Sequence, residues 1–150
     1  MERRNFLSMT LGALALATVP ASVKAEDYRK TKPAVWEAHT VDDAIKAMYG
    51  STDLVMEGVK VNAPKVASNG GAIPVDFSTD KDIKSIAVFQ DANPEAAVMA
   101  ITTNKYSVNN YSIKIKMGKP GTITIVAEGT DGKLYAAKQT LDVALGGCEG

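Results

Sequence analysis

The chain has 150 residues, with 17 lysines and arginines against 17 aspartates and glutamates, 45% hydrophobic residues, one histidine and one cysteine. One domain is expected at this length. The charge balance excludes a basic surface for nucleic acid and an acidic tail, the apolar fraction excludes a disordered chain, and a single cysteine excludes an internal disulfide, a paired-cysteine zinc site and a CxxC redox motif.

Residues 1–25 read as an export signal, outside the fold. Arg3-Arg4-Asn5-Phe6-Leu7 is a twin-arginine pattern, Met9 to Val19 is an apolar run too short to span a bilayer, and Val23-Lys24-Ala25 offers a cleavage site. No cysteine stands at the cut for a lipid anchor, and no later stretch is long and apolar enough to cross a membrane. A soluble, exported protein is therefore expected. Arg3, Arg4, Lys24 and Glu2 leave with the signal, so the remaining 125 residues carry 14 basic and 16 acidic side chains, a net charge of −2 without a nucleic-acid signature. The twin-arginine route carries proteins that fold before export. This chain shows no cofactor motif that requires such folding, and a second, signal-less subunit acquired in the cytoplasm would explain the route equally well.

Residues 26–52 are predicted to form an N-terminal helical segment after a polar start. Thr40 is a good N-cap with Asp43 three positions on, Val41, Ala44, Ile45 and Met48 make an apolar stripe, and Gly50 is a stop. His39 reads as a surface or packing residue near the helix start, because one imidazole with no companion ligands is a poor metal site.

After Gly50 the apolar period changes from 3.6 to 2. Val59-Lys60-Val61, Ile73 to Phe77, Ile83 to Phe89, Val98 to Ile101, Tyr111 to Met117, Thr122 to Val126, Lys133 to Ala137 and Thr140 to Leu145 read as short strands. Ser68-Asn69-Gly70-Gly71, Asp91-Ala92-Asn93-Pro94, Asn109-Asn110, Lys119-Pro120-Gly121 and Thr130 to Lys133 punctuate them as turns, the last centred on Asp131-Gly132. Seven or eight short strands over residues 53–145 predict a mostly β fold, an immunoglobulin-like antiparallel β-sandwich. No βαβ alternation or repeat points to a nucleotide site. Met48, Met56, Met99 and Met117 read as core and edge packing, and Asn104 to Tyr111 is either a partner-contact loop or a solvated hairpin tip.

The C-terminus differs from the rest. Leu141, Val143 and Leu145 alternate as a last strand, and Gly146-Gly147-Cys148-Glu149-Gly150 follows as a flexible arm bearing the only cysteine. Three residues beyond Leu145 give the Cys148 α-carbon a reach of roughly 10 Å. An exposed thiol in an oxidising compartment is a liability unless it is used. Glu149 and the α-carboxylate of Gly150 put negative charge beside the sulfur, which disfavours the thiolate and repels an anionic substrate.

A twin-arginine signal, a sandwich of this length and the terminal Val-Ala-Leu-Gly-Gly-Cys-Glu-Gly together resemble the SoxY family, sulfur-carrier subunits of the periplasmic thiosulfate-oxidising Sox system. Ala63 to Gly70, Ile73-Pro74-Val75, the Asn93-Pro94 turn and Ile113 to Met117 extend the likeness along the chain. The family ends in Gly-Gly-Cys-Gly-Gly, matched here at Gly146, Gly147, Cys148 and Gly150 and not at Glu149. The resemblance implies that Cys148 is the covalent attachment point for sulfur intermediates, that the protein is a carrier without a cofactor of its own and not an enzyme, and that it pairs with SoxZ, a second immunoglobulin-like subunit. It further implies transient visits to a c-type haem enzyme that couples thiosulfate to the thiol, a sulfate-releasing hydrolase and a sulfane dehydrogenase. From the residues alone, the competing reading is an exported adhesion or assembly module whose terminal cysteine forms an intermolecular disulfide.

Overall fold

The computed structural model describes residues 26–144; the predicted export signal, Leu145 and the predicted arm over 146–150 lie outside the described residues. Three helices come first: α1 (Tyr28–Thr31), α2 (Pro33–Glu37) and α3 (Val41–Tyr49). The two short ones occupy the stretch whose polar composition shows no helical stripe. Pro33 starts α2 at a position where its missing N–H is not needed, and Trp36 Nε1 donates to the Tyr28 carbonyl at 3.1 Å, tying α2 back to α1. α3 has the predicted ends. The Asp43 N–H donates to Thr40 Oγ1 at 3.1 Å, the Thr40 hydroxyl donates to the Asp43 carboxylate at 2.7 Å, and Gly50 closes the helix at φ +80, a left-handed conformation glycine adopts without strain.

Nine strands follow: β1 (Leu54–Val55), β2 (Val59–Asn62), β3 (Val66–Ala67), β4 (Ile73–Thr79), β5 (Ile83–Gln90), β6 (Ala97–Thr102), β7 (Asn110–Ile115), β8 (Gly121–Gly129) and β9 (Leu134–Val143). They form two packed sheets, a large one in the order β1-β9-β8-β5-β6 with β3 also on β9, and a small one in the order β2-β4-β7. All pairs are antiparallel except two short parallel ones, β1 and β3, which both lie against β9. Between the sheets the inward residues Ile73, Val75, Phe77, Ile86, Val88, Ile115, Ile123, Ile125 and Leu141 are buried, the alternation that period 2 predicts.

β5 departs from that alternation, with Ser85 through Gln90 buried without interruption. The reason is a third layer. The helices cover the outer face of the large sheet, where Val35, Ala44, Ile45 and Met48 pack on Ala87, Phe89, Val126, Leu134 and Ala136. Each large side chain so buried contributes about 1.5–3 kcal/mol. Tyr49 packs half-buried beside them. Its hydroxyl donates to the Val126 carbonyl at 3.3 Å, and burial pushes it well above the usual tyrosine range.

Two strand predictions need correction. The segments Lys133 to Ala137 and Thr140 to Leu145 are one strand, because Lys138 and Gln139 do not interrupt the ladder; β8 pairs along the whole length from Gly121↔Leu141 to Glu128↔Leu134. The amide of Gln139 serves instead as a substitute backbone, accepting from the Ala63 N–H at 3.2 Å and donating to the Ala63 carbonyl. The strand predicted as Tyr111 to Met117 ends at Ile115, since Met117 turns its N–H to the Gly70 carbonyl at 2.9 Å. The β8–β9 turn also differs in register. Gly132, at φ +83, donates to the Gly129 carbonyl at 3.1 Å, so it closes the turn and does not stand at its centre.

Candidate functional site

The described part of the chain ends at the root of the predicted arm, so the site is built from what holds that root. β9 delivers it. Leu141 and Val143 point inward and are buried, while Asp142 is exposed. On one flank β8 pairs to Leu141. On the other, β3 pairs in parallel, with the Asp142 N–H donating to the Lys65 carbonyl and the Ala144 N–H to the Ala67 carbonyl, each at 2.9 Å. Strand order thus persists to Ala144, four residues before Cys148.

The surrounding loops are braced from below. Gln90, buried at the end of β5, donates through Nε2 to the Glu95 carbonyl at 2.7 Å and accepts through Oε1 from the Ala92 and Asn93 N–H groups, also at 2.7 Å. That fixes the Asp91–Glu95 turn. Asn93 then donates to the Lys116 carbonyl at 2.7 Å and accepts from the Gly118 N–H at 3.3 Å, so one turn holds the next. Asp91 accepts from the Thr122 N–H at 2.7 Å, and His39, on the surface, donates from Nδ1 to the Pro94 carbonyl at 3.0 Å. Met117 and Val143 close on Gly70 from two sides.

A β-carbon at Gly70 would lie 2.6 Å from the Met117 carbonyl oxygen and 2.8 Å from Val143 Cγ1. Gly70 has no positive φ, so the constraint there is space alone. Gly70→Ala is expected to lower stability by about 1–3 kcal/mol, the cost of overpacking. Urea denaturation measures it, and an unchanged midpoint would show that the backbone around β9 yields freely.

Charge around the root is of both signs, with Asp142 on β9 itself and Asp91 on a neighbouring turn. Lys65, Lys116 and Lys119 are exposed on the flanking loops and join no ion pair among the described residues, where the pairs are Lys30–Asp27, Lys60–Asp80 and Lys84–Glu128. A groove of about 660 Å³ beside β9 is lined by Asn62, Lys65, Gln139 and Asp142. The perturbed titratable pair lies at the opposite end of the sandwich, where Tyr135 donates to Asp131 at 2.5 Å; this bond lowers the Asp131 pKa and raises that of Tyr135. Among the described residues no three His, Cys, Asp or Glu side chains converge as metal ligands.

The segments that carry the sequence resemblance, Ala63 to Gly70, the Asn93-Pro94 turn and Ile113 to Met117, therefore meet around the end of β9. The family described as "Sulfur oxidation protein SoxY" matches residues 45–148. The chain belongs to the SoxY family. Among solved structures it resembles the sulfur carrier protein SoxY from Chlorobium limicola f thiosulfatophilum, at 28% identity and a TM-score of 0.63, over 70% of this chain and 96% of that one. Superoxide reductases share the fold at lower identity: neelaredoxin from Ignicoccus hospitalis at 16% (TM-score 0.53, 59% of this chain, 81% of that one) and a Thermotoga maritima protein described as putative at 15% (TM-score 0.51, 65% and 90%). No curated protein sequence matches. As a SoxY-family member the chain has the two-sheet fold the strand pattern predicts, with a helical layer that the pattern does not reveal.

Sequence reasoning singled out the arm residues Gly146, Gly147, Cys148, Glu149 and Gly150, all beyond the described residues. It missed the two glutamines that organise the root. Gln90 ends an apolar strand just before a turn, and Gln139 stands on the inward side of β9; a lone amide at such places is the one signal that marks them.

Proposed function

We propose that this protein is the covalent sulfur carrier of a periplasmic thiosulfate-oxidising system, with Cys148 as the attachment point and Gly146, Gly147, Glu149 and Gly150 as the arm that presents it. The observation that carries this reading is the extent of the family match, which runs to residue 148 and so takes in the only cysteine of the chain. The end of β9, bonded on both flanks, and the exposed Lys65, Lys116 and Lys119 near it suit a root from which an anionic cargo is handed over.

The chemistry is that of a thiolate. Oxidative coupling joins the Cys148 sulfur to the outer sulfur of thiosulfate, forming an S–S bond and giving up two electrons to a c-type haem enzyme. Water then attacks the terminal sulfonate in a hydrolase, releasing sulfate and two protons and leaving a persulfide on Cys148. A sulfane dehydrogenase, or another acceptor, takes up that remaining sulfur. Every step occurs in another protein's active site, which makes this chain a carrier subunit paired with SoxZ.

Intact-mass spectrometry of protein from thiosulfate-grown cells tests the reading. Thiosulfonate or sulfur adducts removable by dithiothreitol are expected. A cysteine-linked dimer with no adduct would establish the adhesion or assembly module instead.

Export through the twin-arginine route follows from Arg3 and Arg4. Replacing both by lysine is expected to leave this chain and SoxZ in the cytoplasm, with near-complete loss of both from the periplasm by fractionation. SoxZ still reaching the periplasm normally would refute joint export.

A further inference from the structure

The two long sides of the sandwich are unlike. One is sealed: β1 and β3 both pair with β9, and Gln139 is bonded to the backbone of Ala63 between them. The other is open. β6 is an edge of the large sheet and β7 an edge of the small one, each paired to a single neighbour, and β2 packing over β9 puts both edges on the side away from the seal.

β6 reads Ala-Val-Met-Ala-Ile-Thr, an edge without one charge or proline, relieved only by a bulge opposite Val88/Phe89. Among the described residues the β6 backbone has no ladder partner on its outer side. A groove of about 300 Å³ runs between Val98–Ala100 and residues 26–29. The loop joining β6 to β7 exposes Tyr106 and Val108, each 81% accessible, two of only four large apolar side chains so exposed among the described residues. That loop is stiff: Asn104 accepts from the Tyr106 N–H at 2.8 Å, and the Asn104 N–H donates to Ser107 Oγ at 2.9 Å. Lys105 and Lys114 are exposed along this side, as are Glu26 and Asp27 at the β6 groove and Asp82 beside Lys105, so its charge is mixed.

We infer that the open β6–β7 side is the docking surface for the partner subunit, which adds an extended strand to β6 and covers Tyr106 and Val108. The inference rests on the carrier reading only in naming SoxZ as the partner. Its grounds are the free ladder, which a strand backbone satisfies, the absence of charge along β6, which leaves it an aggregation edge in a lone subunit, and the exposed apolar pair Tyr106 and Val108 beside it. The surface lies on the flank of the sandwich and leaves the end of β9 free.

The test is the affinity of the exported chain for SoxZ, measured by calorimetry and sedimentation. Tyr106→Ala combined with Val108→Lys is expected to raise Kd at least ~30-fold, the fold-change of one interface hot spot. Met56→Lys and Val66→Lys, at the two other exposed apolar positions on the sealed side, are expected to leave it within about 2-fold. All four positions are exposed, so circular dichroism should stay native in every variant. Hydrogen exchange of the β6 amides should slow on complex formation. Loss of affinity in the Met56 and Val66 variants, or retention in the Tyr106/Val108 variant, overturns the assignment. So does a dimer of this chain alone that the same loop substitutions dissolve, which would make a second copy the occupant. Failure to bind SoxZ at all also overturns it, while the adduct mass on Cys148, read in parallel, reports separately on the carrier function.

Discussion

A Cys148→Ala chain is expected to purify from thiosulfate-grown cells with native fold and partner but no sulfur adduct, and thiosulfate oxidation should fall to the level of cells lacking the protein. The loss is complete because the sequence holds no second thiol to take over. Cys148→Ser should behave alike, since a hydroxyl cannot form the S–S bond that carries the cargo. The fold should be untouched, because the strand bonds of β9 among the described residues run to Ala144, four residues before Cys148. Sulfate release from thiosulfate in a complemented deletion strain, with intact mass of the purified protein, is the measurement. Sustained oxidation, or an adduct surviving the substitution, would sink the assignment of Cys148.

The largest structural effect is expected at Phe89. Its ring is fully buried on the helix-facing side of β5, among Val35, Ile45 and Met48. Phe89→Ala should cost about 3–5 kcal/mol, a large share of the roughly 5–15 kcal/mol by which such domains are stable. Because the gap opens beneath the helices, that layer should loosen first. Trp36, the only tryptophan, reports on it; its ring stacks under the Arg29 guanidinium at 4.2 Å and its indole bonds the Tyr28 carbonyl. A red shift of its emission at denaturant concentrations where the sheets keep their circular dichroism is the expected signature. A denaturation midpoint equal to the unsubstituted protein's would mean the helices contribute little to the core.

Local chemistry explains which elements the sequence discloses. Thr40 and Gly50 announce the ends of α3 because a cap acts within one turn of itself, and the alternation in β4 is visible because that strand has one wet face. β5 hides its neighbourhood: Ile86 to Phe89 is apolar on both faces, and nothing in the run says whether a sheet or a helix covers the second one. β1 and β3 are two residues each, too short for any period, and exist because β9 offers them a ladder. Gln139 misleads, since a polar residue in an apolar run reads as a break when its partner, Ala63, is 76 positions away. The proposed site shows the same division. The arm residues stand out by composition alone, whereas the braces from Gln90 and Asn93 are tertiary contacts that no local pattern encodes.

The hold on β9 up to Ala144 has a kinetic consequence. With strands on both flanks, Ala144 is a fixed point, and a chain of four residues cannot set the Cys148 α-carbon more than roughly 14 Å from it. Under the proposed carrier role, enzymes that each bring a reacting centre inside that radius would share a single berth and occupy it in turn. Turnover then behaves as a queue in which an excess of any one enzyme, even an inactive one, is a competitive inhibitor of the others, and flux peaks when their amounts are balanced.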